Sequence, residues 1–497
     1  MKLLTIIALS AITTLAEQPA LTLYNQNFAV VREQVALDLT AGENTVAFSG
    51  ITAHAEPDSV ILRDVSRKNA LRILEQNYRA DPVSQNLLLN HFEGQTIDFL
   101  SGTNIIKGKI IRSGYVPHHS AYNRYGAQYR QTQALMSSAQ GSGQPIIEVD
   151  GKLRFTLPGQ PLFPALGNDS VLKPTFNWIL ESSGAGKTDA ELCYVSGGMS
   201  WEADYNLVSP ENSDDLDLIG WVTMDNQSGR TFENAKIKLM AGDVEKIQQN
   251  PMARCKMAAR SSMAFDAASA PVVTEKAFDE YHLYELARST TLRDRETKQV
   301  EFLRAQDVDS TTVYVYDGVY VDPNRYRNWR YENIRNNRDY GTVSNPKVWV
   351  MREFKNTKEN GLGLPLPKGR VRFYRRDSDG QLEFTGENMI DHTPKDETVR
   401  IQTGSAFDLV GERKRTNYQI DTSRNWLDES FEIKLRNRKE NQPVEIRVVE
   451  HLYRSATWEI SESSHMHLKT AANTLEFRIK VNPGEEKILT YKAHYTW

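Results

Sequence analysis

The sequence predicts an all-β, multidomain chain, built of β-sandwich domains with a small inserted barrel-like β module. Three observations carry this expectation. Apolar side chains alternate with polar ones in short runs, as at Val35, Leu37 and Leu39, at Phe431, Ile433 and Leu435, and at Leu475, Phe477, Ile479 and Val481. A period of two places such residues on one face of a strand. Turn chemistry separates the runs, as at Ala41-Gly-Glu-Asn44, Asp225-Asn-Gln-Ser-Gly229 and Asp377-Ser-Asp-Gly380. A length of 497 residues also suits roughly three domains at ~150 residues each, ample for cores without staples.

Taken in order, residues 1–16 read as a cleaved signal peptide: Lys2 forms the charged start, Leu3 to Leu15 the apolar run, and Thr14-Leu-Ala16 the cleavage site. Residues 17–165 form an N-terminal β domain. It opens with strands at Leu23–Tyr24, Val30–Leu39, Val46–Phe48 and Leu71–Tyr78. Short strands at 87–89, 96–100, 105–111, 146–149 and 153–157 supply the barrel-like module. The stretch 114–144, rich in Tyr, Gln, Ser and Gly, interrupts it as a mobile loop. Residues 166–247 make a central β segment, with 175–181 and 190–195 expected as a hairpin around Ser182–Thr188. Residues 248–278 are a low-complexity linker rich in Ala, Ser and Met. Residues 279–497 form a C-terminal β-sandwich region, with a loop insertion at 318–346.

Acidic and basic residues nearly balance, 64 against 60, so global charge gives no argument for nucleic acid. No stretch after the leader approaches membrane-spanning length. The two cysteines, Cys193 and Cys255, leave two readings open: a disulfide in an oxidising compartment, or one buried and one exposed thiol.

The stretch 347–414 has the densest signals. Strands at 348–350, 371–373, 382–384, 399–401 and 407–409 alternate with turns at Gly361-Leu-Gly363, Pro365-Leu-Pro367-Lys-Gly369 and Asp391-His-Thr-Pro394. The run GLGLPLPKGRVRFYRRDSDGQLEFTGENMIDHTPKDETVRIQTGSAFDLVGERK, with LTLYNQNFAVVREQVALDLTAGENTVAFSGI and SWEADYNLV upstream, resembles the exported bacterial family called domain of unknown function 4139. That family shares its C-terminal half with mucoidy-inhibitor proteins. The resemblance implies an exported, β-rich envelope protein and brings no catalytic residues.

Several groups invite chemistry. Glu181-Ser-Ser-Gly-Ala-Gly-Lys-Thr188 has a Gly-Lys-Thr ending like a phosphate loop, but Glu181 stands where glycine is needed and a strand follows. Asp391, His392, Asp396 and Glu397 are the best acid–base cluster, with a solvated turn as the alternative. His465 and His467 would share a strand face as two metal ligands without a third; the pair His118-His119 falls in the mobile loop. The insertion 318–346 interleaves Arg325, Arg327, Arg330, Arg335 and Arg338 with Tyr320, Tyr326, Trp329, Tyr331 and Tyr340. Arginines beside aromatic rings stack on flat ligands and pair with anions. Arg325, Arg327, Trp329, Arg330, Tyr331, Arg335 and Arg338 are therefore the candidate binding residues. As a surface loop, its removal would leave stability nearly unchanged.

No motif implies a cofactor or a metal. The function expected is a non-enzymatic binding or scaffold module, periplasmic or associated with the cell envelope, whose partner is an envelope protein or an acidic polysaccharide. A hydrolase at Asp391–Glu397 is one rival. An outer-membrane β-barrel is another, suggested by the alternation from Leu489 to Trp497 and opposed by irregular strand spacing.

Overall fold

The computed structural model describes residues 18–66, 70–79, 84–114, 144–164, 173–211, 213–242, 244–246, 273–278 and 280–497. The leader 1–16, most of the 114–144 loop with His118 and His119, and most of the 248–278 linker with Cys255 lie outside the described residues. The described residues are nearly all β, 63% strand and 4% helix, in several sheets, and no closed barrel forms among them. Among the described residues no helix is long and apolar enough to cross a membrane. The chain divides into two compact units, Met1–Trp201 with Thr223–Gln299, and Glu202–Val222 with Val300–Trp497. Each unit is thus assembled from stretches far apart in sequence.

In the first unit, three strands turn corners together. Phe28–Leu39, Gly186–Gly197 and Ile61–Asp64 lie side by side in one sheet, and Gly42–Ser49, Thr175–Ser182 and Leu71–Arg79 lie in the same order in another. Gly186–Gly197 pairs with Phe28–Leu39 along its whole length, from Gly186↔Leu39 to Gly197↔Phe28. The expected hairpin around Ser182–Thr188 is therefore a corner between sheets: its two arms pair with other strands. Alternation told which face each arm buries and carried no information about its neighbour. The corner is pinned to Ala70, whose N–H donates to the Ser183 hydroxyl at 2.8 Å and whose carbonyl accepts from the Ser183 N–H at 3.2 Å. Gly186 turns it with φ +119°, a region costly for residues with a Cβ. A strand follows, so no helix N-terminus faces a phosphate there.

Behind these corners Phe176, Trp178, Leu180 and Tyr194 are buried, and the Phe176 and Tyr194 rings meet edge to face at 6.0 Å. Arg230 forks onto Glu33 with two bonds of 2.6 Å. Burial, then the Glu33 charge, push the neighbouring Tyr194 phenol up to about 12. Cys193 is half-buried, with no disulfide partner among the described residues, and burial raises its thiol pKa, which disfavours the thiolate.

The barrel-like module is a five-stranded sheet in the order Gln160–Leu162, Thr96–Ser101, Asn104–Arg112, Ile146–Val149, Lys152–Arg154. Among the described residues the two outer strands are edges, so the module is an open sheet. Its core is Leu89, Ile97, Phe99, Ile110 and Ile147. Leu87–Leu89, expected as strand, lies in the helix Gln85–His91. Three successive leucines have no period of their own, and Ser84 decides by accepting the Leu87 N–H at its hydroxyl, 3.2 Å.

The second unit is organised by one 24-residue strand, Thr398–Asp421. Its first half pairs with Lys347–Lys355, from Lys355↔Thr398 to Lys347↔Val410. Its second half pairs with Trp426–Asn437, from Leu409↔Asn437 to Asp421↔Trp426. The strand thereby passes from one layer of a sandwich to the other near Val410, and the two short strands expected at 399–401 and 407–409 are parts of it. Ser310–Asp317, Val444–His451, Thr474–Val481 and His467–Ala471 extend the first layer, and Glu486–Thr496 and Thr457–Ser463 the second. Between them lie Val448, Phe477, Ile479, Ile433, Leu435, Leu489 and Tyr491, each aliphatic or Phe side chain contributing about 1.5–3 kcal/mol by burial. Gly411 is required in the long strand, because a Cβ there would meet the Tyr316 ring at 2.1 Å. The Asp377–Gly380 turn forms as expected, closing Gly369–Arg376 onto Leu382–Ile390.

Candidate functional site

The insertion 318–346 is placed as turns and one short helix, Tyr331–Asn336, and its main chain serves the sandwich beneath it. Arg454 is 1% exposed. It donates to the carbonyls of Ile334, of Asn337 at 2.8 Å and of Tyr340 at 3.0 Å. Its other donors reach Glu429 at 2.8 and 3.1 Å. Arg415 bridges Glu429, 3.2 Å, and the carbonyl of Arg338. Arg413 forks onto Glu450 at 2.9 Å and donates to the Gly341 carbonyl, also 2.9 Å. Glu450 is 0% exposed and also accepts from the Tyr491 hydroxyl. The Tyr418 hydroxyl donates to the Arg335 carbonyl, 2.9 Å, and the Tyr316 hydroxyl to that of Asn345, 3.1 Å.

A buried cation needs its donors filled and its charge balanced. Glu429 and Glu450 supply the charge, and the insertion supplies carbonyl acceptors. These contacts argue against the expectation of a dispensable surface loop. The buried residues responsible escaped notice because they come from separate strands. A signal for some of them existed: Glu450 follows Val444, Ile446 and Val448 in the inward phase, and Glu429 shares the phase of Leu427, Phe431 and Ile433. A charge at an inward position predicts a buried partner.

Tyr326, Trp329, Tyr340 and Tyr453 form an aromatic cluster, with Tyr326 edge-on to Trp329 at 4.7 Å, Trp329 stacked on Tyr340 at 6.2 Å and Tyr340 edge-on to Tyr453 at 5.7 Å. The candidate binding residues divide accordingly. Arg325, Arg327, Arg330, Tyr331 and Arg338 are exposed, and Trp329 and Arg335 half-buried. Arg335 lies over the Trp497 ring at 4.7 Å. Trp329 lines a shallow cleft of about 400 Å³ with Glu332, Asn333, Asn336 and Asn337. Among the described residues, the side chains of Glu332, Asn333 and Asn336 have no protein partner, and none of the five insertion arginines meets a carboxylate. The arrangement offers a ring, open amides and open guanidiniums on one segment anchored to the sandwich.

The Asp391–Glu397 cluster is a latched turn. Asn356, fully buried, donates from its side chain to the carbonyls of Leu364, 2.7 Å, and Pro394, 3.0 Å. Its main chain bonds Asp396 and Glu397, each at 2.9 Å. Asp396 sits at φ +67°. The Nδ1 atom of His392 accepts the Lys368 N–H at 3.1 Å, so that nitrogen is committed to the main chain. The Asp391 side chain is 94% exposed. His465 is in a turn beside Ser464, 2.8 Å, and His467 opens the next strand, so they do not share a strand face. Among the described residues no three metal-ligating side chains come together.

No family model matches the chain, and no curated protein is significantly similar to it.

Proposed function

We propose that the protein is an exported cell-envelope protein acting as a non-enzymatic binding module, and that its 318–346 face takes an acidic polysaccharide. One observation carries the choice of ligand: the Trp329 ring stands beside the side chains of Glu332, Asn333 and Asn336, which meet no partner among the described residues. An indole ring covers the apolar C–H face of a sugar, amides and a carboxylate bond its hydroxyls, and the exposed Arg325, Arg327 and Arg330 answer its acid groups. Because the segment is anchored by buried arginines, little ordering is left to oppose binding. Export is supported by the leader pattern in residues 1–16 and by the resemblance carried by 361–414. The latched turn at Asp391–Glu397 supports a binding role over a hydrolytic one.

The test is isothermal titration with polygalacturonate, a polyuronate. Wild type should bind, more weakly as salt rises. Asn333→Ala/Asn336→Ala and Arg327→Gln/Arg330→Gln should each weaken binding by roughly tenfold or more at unchanged melting temperature. Equal binding by both folded variants would overturn the assignment.

A further inference from the structure

A second cleft, of about 500 Å³, shares no residue with the 318–346 face. Its floor is three paired strands, Ser310–Asp317, Lys347–Lys355 and Val444–His451. Its size suits a small ligand, for which roughly 300–1,000 Å³ is usual. The lining carries four cations, Arg352, Arg375, Lys439 and Arg447, against two carboxylates, Asp214 and Glu445.

Two of the cations are already answered. Arg352 lies 2.5 Å from Asp214. Arg447 lies 3.1 Å from Glu353, a carboxylate that also serves Arg400. The other two are held by neutral oxygens alone. The Lys439 ammonium donates to the Tyr314 hydroxyl at 2.7 Å and to Gln442 Oε1 at 2.8 Å, and sits 4.8 Å from the Tyr314 ring centre. Arg375 donates to the Glu211 carbonyl at 2.6 Å. Neither meets a carboxylate among the described residues. An ammonium has three donors and a guanidinium five, so both keep free N–H groups. These neutral contacts fix the cations in position and leave their charge unspent.

We infer that this cleft binds a small dianionic oxyanion, a phosphate monoester or a dicarboxylate, held between Lys439 and Arg375. The two lining cations that meet no carboxylate, Lys439 and Arg375, set the charge of the ligand. The Thr312 hydroxyl, already bonded to Asp214 at 2.9 Å, keeps that carboxylate turned onto Arg352 and away from competition for Lys439. The site rests on no residue of the polysaccharide face, so each assignment stands or falls alone.

Titrations with inorganic phosphate and with succinate, at matched ionic strength, distinguish the tetrahedral from the extended ligand. Wild type should bind one of them saturably. Lys439→Gln/Arg375→Gln should weaken it by roughly tenfold or more, and Asn333→Ala should leave it unchanged. Melting curves identify any variant that fails to fold, and the single Lys439→Gln variant then carries the same test. The inference is overturned if neither anion binds saturably, or if the folded variants bind as wild type does.

Discussion

The arginines beneath the 318–346 insertion and two cations of the 500 Å³ cleft, Lys439 and Arg375, are basic side chains in opposite states. Arg413, Arg415 and Arg454 are spent: Arg413 meets Glu450, Arg415 and Arg454 share Glu429, and each bonds at least one main-chain carbonyl. Lys439 and Arg375 are held in place with their charge unanswered. Basic side chains alone therefore do not mark a binding surface. What matters is which of them the fold has already neutralised.

Three perturbations would break or sharpen this contrast. The largest effect belongs to Glu450. Glu450→Gln leaves the Arg413 guanidinium buried without its counter-charge, and should cost about 3–5 kcal/mol in chemical denaturation. Arg413→Met added to it should recover much of that loss. Lys439→Gln, read in the same assay, should stay within about 0.5 kcal/mol, since no ion pair is broken. Equal costs at Glu450 and Lys439 would erase the distinction.

Next in size is the insertion. Replacing 318–346 by a short Gly/Ser turn removes the carbonyls that Arg454 and Arg413 bond, and should cost about 2–3 kcal/mol as water replaces them incompletely. An unchanged melting transition would restore the dispensable-loop reading.

The smallest effect is a pH dependence. His451 Nε2 lies 3.0 Å from Asp317. That hydrogen bond, working against burial, raises the imidazole pKa above its ordinary value of 6.5. A folded pKa above the unfolded one gives stability that is present below about pH 6.5 and lost as pH climbs through the raised value. The pair is partly exposed, so the loss should be under about 1 kcal/mol. Asp317→Asn should flatten this limb of the stability–pH curve, and a curve of unchanged slope would show that another group titrates.

The charged stretches show how far the sequence could be read. The Asp391–Glu397 cluster was legible as a turn from Pro394 and its spacing, but its latch, Asn356, was not. Asn356 lies 38 residues from the Pro394 carbonyl it holds. The insertion was legible as rich in Arg and aromatics, while its anchoring was hidden in Arg454, 117 residues from the Asn337 carbonyl. The binding cleft left no linear trace at all, since its lining runs from Asp214 to Arg447.

By itself the sequence determined the secondary structure class and the faces of the strands, because side-chain alternation is a property of each strand's own pleat. It also determined the tight turn at Gly380, where φ is +84° and the local residues suffice. Only the tertiary structure decided which strands pair, that Thr398–Asp421 is one strand shared by two layers, and which cations are satisfied. Hydrogen-bond partners and counter-charges are set by proximity in space, and at Arg413 and Glu450 that proximity joins residues 37 apart on strands that are not neighbours in their sheet.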